Sequence, residues 1–121
     1  MTPNFIIAYV KDATRSADLY SRVLGQTPVQ STPAFAMFAL PGGITFGLWA
    51  RDDAKPAPNG TGGVEIGFPV ANDDALHTAV AEWKALGLAI IQPPTKMDFG
   101  FTFTAADSDG HRLRAFVPAA A

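Results

Sequence analysis

The sequence predicts an α+β fold: two βαβββ units forming a curled mixed sheet with a central cleft, helices on the outer face. Three observations predict it. First, one order of elements occurs twice: a strand, a helix ending in Leu-Gly, then three strands with a glycine-containing turn before the last. The first-strand ends Val10 and Val70, the helix ends Leu24-Gly25 and Leu86-Gly87, and the turns Gly42-Gly43 and Asp109-Gly110 correspond in order. Second, the stretch from Arg51 to Gly63 is rich in proline, glycine and charge and has no hydrophobic period, so it reads as a linker. Third, the chain closes on two alternating strands, which argues a sheet packed on one face with the other left for solvent or ligand. One such unit cannot bury both faces of its sheet. Two can, whether paired within one chain or exchanged between two. The expectation is a single domain over 1–121, with units at about 1–51 and 63–121 joined by a linker at 52–62.

Each element has a local reason. Phe5 to Val10 is a run of β-branched and aromatic residues and reads as a strand covered on both faces. Lys11-Asp12 ends it, and Asp12 or Thr14 can accept from the free amides of the next helix. There Ala13, Ala17, Tyr20 and Leu24 recur at helical spacing, backed by Leu19 and Val23, and Gly25 caps the end. Pro28 to Ala39 reads as an irregular strand region whose better part is Phe35 to Leu40. Pro41-Gly42-Gly43 is a turn, and Ile44 to Ala50 is the next strand. Val64 to Val70 restarts the pattern. Asn72-Asp73-Asp74 caps a second helix to Leu86, with Leu76, Ala79, Val80 and Trp83 on its buried side. Leu88 to Ile91 is a strand that Pro93-Pro94 should stop. In the closing hairpin, Phe101 to Ala105 and Arg112 to Val117 flank a turn at Asp107 to Gly110. Asp109-Gly110 is the hairpin signal, because glycine tolerates positive φ and aspartate bonds back to its backbone.

Composition excludes several function classes. A net charge of −2 with no basic patch argues against nucleic acid. Cysteine is absent, so disulfides, zinc fingers and thiol catalysis are excluded. The apolar runs fall far short of a membrane span, and the N-terminus lacks the pattern of a secretory signal, so a cytoplasmic location is expected. Hydrophobic content of 48% leans towards buried surface or an oligomeric interface.

The chain resembles the vicinal oxygen chelate superfamily of glyoxalases, bleomycin-resistance proteins and extradiol dioxygenases. Four features carry the resemblance: Val10-x-Asp12-x-x-x-Ser16-x-x-x-Tyr20, the Leu24-Gly25 helix end, Gly63-Val64-Glu65-Ile66-Gly67-Phe68 after the linker, and Asp107-x-Asp109-Gly110-His111-Arg112-Leu113. Ser108 stands where proline is usual and Phe101 where a polar residue is common. The resemblance implies paired βαβββ units, a homodimer and, in the enzymes, one divalent metal held by His, Glu or Gln. Those ligand positions fall near Phe5, near Gly47, at Glu65 and at Arg114. Only Glu65 could bind metal, and an arginine in the first shell repels a cation. The resemblance then points to the members of bleomycin- and phenazine-resistance type, which bind planar aromatic antibiotics by stacking and do no chemistry. The expected function is metal-free sequestration of a small aromatic compound, with no cofactor. The alternatives are a glyoxalase- or dioxygenase-like metalloenzyme retaining Glu65 as one ligand, and a structural or regulatory dimer without ligand.

The expected ligand-binding residues are Phe5, Phe35, Trp49, Glu65, Phe99, Phe101 and Arg114. Trp49 shares strand parity with Gly47, which would leave room for a flat ligand; it reads equally as an interface or core aromatic. Phe99 and Phe101 sit near the expected cleft mouth. Glu65 and Arg114 read either as a buried pair, whose one-sided loss would cost roughly 3–5 kcal/mol, or as unrelated, partly solvated charges. Trp83 reads as helix core. His77 reads as solvent-facing and His111 as a structural turn residue. Neither has a partner at catalytic spacing, so a hydrolytic triad is not expected.

Overall fold

The computed structural model describes residues 2–55, 57–58, 60 and 63–119. The predicted linker therefore falls in part outside the described residues. The chain divides into two compact units, Met1–Thr61 and Gly62–Ala121. Each has βαβββ order and a four-stranded mixed sheet with one helix packed on one face.

In the first unit, β1 (Phe5–Val10) is followed by α1 (Ala13–Leu24), β2 (Gln30–Ser31), β3 (Phe35–Ala39) and β4 (Thr45–Ala50), in the sheet order β1-β4-β3-β2. β1 runs parallel to β4, and the rest is antiparallel. The Asp12 carboxylate accepts from the amides of Thr14 and Arg15, which starts α1. Gly25, at φ +65°, ends it in the left-handed region. Ala13, Ala17 and Tyr20 of α1 are buried together with Ala8, Val10, Ala36, Phe38, Phe46 and Leu48 of the sheet. The alanines let helix and sheet approach closely, and the ring of Tyr20 meets that of Phe46 edge to face at 5.4 Å.

The second unit repeats the pattern with β5 (Glu65–Pro69), α2 (Asp73–Ala85), β6 (Ala89–Met97), β7 (Gly100–Ala106) and β8 (Arg112–Pro118), in the order β5-β8-β7-β6. Its core is Leu76, Trp83, Leu88, Phe103, Ala105, Leu113 and Ala115. Trp83 lies 5.1 Å from Phe103 and 5.5 Å from Phe68, between helix and sheet.

Two details differ from expectation, and a third adds to it. β1 is covered on one face only, where Ala8 and Val10 are buried, and Phe5 and Tyr9 on the other face are exposed. β6 does not stop at the prolines but runs through both to Met97. It is an edge strand, where a missing amide donor is tolerated, and its register shifts around Gln92 accommodate the rings. In the last turn, the carboxylate of Asp107 also bonds back, accepting from the amides of Asp109 and His111 at 2.9 Å each.

Candidate functional site

Strand alternation gives each sheet a helix-covered face and an open face. On the first unit's open face stand Phe5, Ile7 and Tyr9 from β1, Phe35 and Met37 from β3, and Gly47 and Trp49 from β4, as the registers Ile7–Gly47–Met37 and Tyr9–Trp49–Phe35 require. The rings form a connected set. Phe35 meets Trp49 edge to face at 6.1 Å, Tyr9 lies 6.4 Å from Trp49, and Phe5 lies 6.3 Å from Phe35. Phe5 and Tyr9 remain about 40% exposed, at 42% and 40%.

Gly47 does not leave a vacancy for a flat molecule. A Cβ there would lie 2.8 Å from Phe5 Cε1 and 3.0 Å from Phe35 Cζ, so these two rings already occupy the space above it. The available aromatic surface is therefore the outward side of Phe5, Phe35, Tyr9 and Trp49.

On the second unit's open face the centre is polar. Arg114, from β8, donates through Nε to Glu65 Oε2 at 3.2 Å. Its Nη1 donates to Gln92 Oε1 at 3.1 Å and to Thr102 Oγ1 at 3.2 Å, with Met97 Sδ at 4.0 Å. Thr102 and Thr104 are buried beneath this layer. Thr102 donates to the Ala115 carbonyl and Thr104 to Gln92 Oε1, so both of these buried hydroxyls have a partner. The ring of Phe99 lies 5.5 Å from the guanidinium carbon and meets Phe116 edge to face at 6.2 Å.

Six of the seven expected residues thus stand on or beside an open face: Phe5, Phe35 and Trp49 in the first unit, Glu65, Phe99 and Arg114 in the second. Phe101 lies apart. It shares parity with buried Phe103, and its ring meets His77 of α2 at 5.7 Å, with Lys96 Nζ 5.5 Å above it. Glu65 and Arg114 do pair, but the Glu65 side chain is 43% exposed and that of Arg114 18%, so the pair is not fully buried. Sequence reasoning missed Gln92, because β6 was expected to end before it. It also left out Tyr9, although the parity of Tyr9 with Phe5 was the available signal.

The residues at or near the expected metal-ligand positions do not fit a divalent cation. Phe5 and Gly47 offer no side-chain donor, Arg114 is a cation, and the Glu65 carboxylate is held by Arg114. Among the described residues no three His, Asp or Glu side chains converge as a metal-binding group.

The model of the Glyoxalase/Bleomycin resistance protein/Dioxygenase superfamily matches residues 2–115. The phenazine antibiotic resistance protein EhpR of Enterobacter agglomerans is 30% identical over 117 residues, covering 94% of this chain and 90% of EhpR. The solution structure of protein ATC0852 from Agrobacterium tumefaciens superposes with a TM-score of 0.90 at 45% identity, over 99% of both chains. A glyoxalase/bleomycin resistance protein/dioxygenase family enzyme from Burkholderia phytofirmans superposes at 0.80 over 96% of this chain and 98% of its own, at 16% identity, which shows a shared fold.

Proposed function

Because this chain belongs to the Glyoxalase/Bleomycin resistance protein/Dioxygenase superfamily, we propose that it is a resistance-type member that sequesters a small planar aromatic compound. It binds without metal and without chemistry, and acts as a homodimer. The observation that carries the reading is the open face of the first unit. A solvated sheet face ordinarily carries polar side chains, whereas this one presents Phe5, Tyr9, Phe35 and Trp49. Aromatic faces and edges of this kind hold flat π-systems by offset stacking and edge contacts, worth about 0.5–1.5 kcal/mol per ring pair beyond area burial. The 30% identity with a phenazine antibiotic resistance protein supports the choice of ligand class.

The test is titration with phenazines, followed by tryptophan emission. Trp49 is half-buried among the rings and Trp83 is buried in the second unit's core, so quenching should come from Trp49. Saturable quenching in the wild type that is lost in Trp49→Phe is expected. Quenching that survives intact in Trp49→Phe would remove Trp49 from the site. The absence of saturable binding by quenching and by calorimetry would overturn the reading.

A further inference from the structure

We propose a second binding site, built by the second unit alone, for a small zwitterion with an apolar body, of the free α-amino acid class. A cavity of about 280 Å³ opens where α2 begins and where β6 and β8 end. Its floor follows from the register. Lys96 of β6 stands opposite Phe101 of β7, and Phe101 stands opposite Val117 of β8, so three side chains from adjacent strands share one face of the sheet. Met97 and Pro118 also line the cavity, and Asp73, the first residue of α2, lines it from the helix. Asp73 and Lys96 are exposed, so both charges can be reached from solvent, while Phe101 and Val117 are half-buried.

The choice of a zwitterion follows from the two charges. Lys96 holds its Nζ 5.5 Å from the centre of the Phe101 ring, and His77 of α2 meets the same ring at 5.7 Å. The ring thus keeps the ammonium at the cavity wall. Asp73 brings a carboxylate to the same cavity. Among the described residues the ion pairs are Arg22–Asp18 and Arg114–Glu65, and no hydrogen bond engages the Lys96 ammonium or the Asp73 carboxylate. The cavity therefore offers one unpaired charge of each sign above an apolar floor. An anion would gain Lys96 and be repelled by Asp73, and a cation would meet the reverse. A molecule with both charges gains from each. The volume lies just below the roughly 300–1,000 Å³ of drug-sized sites, so the occupant is small. An amino acid of aliphatic side chain meets these terms, with its apolar part laid on Phe101 and Val117.

The experiment titrates ¹⁵N-labelled protein at pH 7 and fixed salt with L-leucine, L-leucinamide or N-acetyl-L-leucine and follows the backbone amide shifts. Leucine has no ring, so it does not stack on the aromatic face of the first unit. Leucinamide lacks the carboxylate and acetylleucine lacks the ammonium. Saturable shifts are expected at the amides of residues 96–101 and of Val117 and Ala119. Leucine should bind more tightly than either analogue by up to about fivefold, the equivalent of about 1 kcal/mol for an exposed ion pair. K96Q should abolish the preference for leucine over leucinamide and keep that over acetylleucine; D73N should do the converse. An analogue that binds the wild type as tightly as leucine would overturn the zwitterion site, and so would a preference left unchanged in its variant. The lack of any saturable shift at these amides would overturn it as well. If D73N fails to fold, K96Q decides alone: loss of the leucinamide discrimination supports the site and its persistence overturns it. Phenazine binding by the first unit stands or falls separately from every one of these outcomes.

Discussion

At the scale of single residues, Arg114 and Glu65 show how exposure sets the energy of an ion pair. A fully buried pair broken on one side costs several kcal/mol, because the survivor is left charged and dry. Here Glu65 is 43% exposed, so its removal leaves Arg114 with Gln92 and Thr102 and with access to water. Glu65→Ala should lower stability by only about 0–1 kcal/mol, well below the figure for a buried pair. Arg114→Ala should cost more, about 1–3 kcal/mol, because it removes three hydrogen-bonded contacts and uncovers Thr102 and Thr104. Denaturant melts of the two variants would check the order; equal losses would show that the arginine's other contacts contribute nothing. Gly47 carries a related lesson. Its residue type announces close approach, but which groups approach is fixed by β1 and β3, far away in sequence.

At the scale of elements, β6 is the instructive strand. Its consecutive prolines cannot donate to a neighbour, and β6 has a neighbour on one side only. They therefore keep the strand while denying its free edge to another chain. Replacing Pro93 and Pro94 together by threonine should restore the missing donors and raise self-association, read as a rise in light scattering on mild heating. Unchanged scattering would mean that the edge is protected by something else. This strand also marks the limit of legibility. Strand pattern, helix caps and hairpin turn were all readable from period and residue type, and both helices begin and end within a residue or two of expectation. The continuation through Pro93-Pro94 was not, because it depends on β6 lying at an edge, which is a property of sheet order. The one-sided covering of β1 was obscured for a similar reason. Its residues are apolar throughout, so no alternation distinguishes the face under α1 from the face left open.

At the scale of the whole molecule, the donor chemistry predicts indifference to divalent metals. A metal that binds only the folded protein must raise its stability, by about 2.7 kcal/mol at a hundredfold excess over its dissociation constant. Melting after chelation, followed by addition of Ni²⁺, Zn²⁺, Mn²⁺ or Fe²⁺, should give superimposable curves. A rise that disappears in Glu65→Gln would restore the metalloenzyme reading. The open faces were partly legible in advance. Trp49 at the strand parity of Gly47 pointed to the first, whereas the polar centre of the second requires Gln92, Thr102 and Arg114 to meet from three strands.

The two tryptophans fall one to each unit, and their surroundings differ. Trp83 is 7% exposed in a dry core, while Trp49 is half-buried on an open face. An indole in an apolar medium emits to the blue of one that water can relax. The chain therefore carries its own two-colour record of unfolding. A single isosbestic shift would report the two units melting as one cooperative body, and a blue band outlasting the red one would report that the second unit holds after the first has opened.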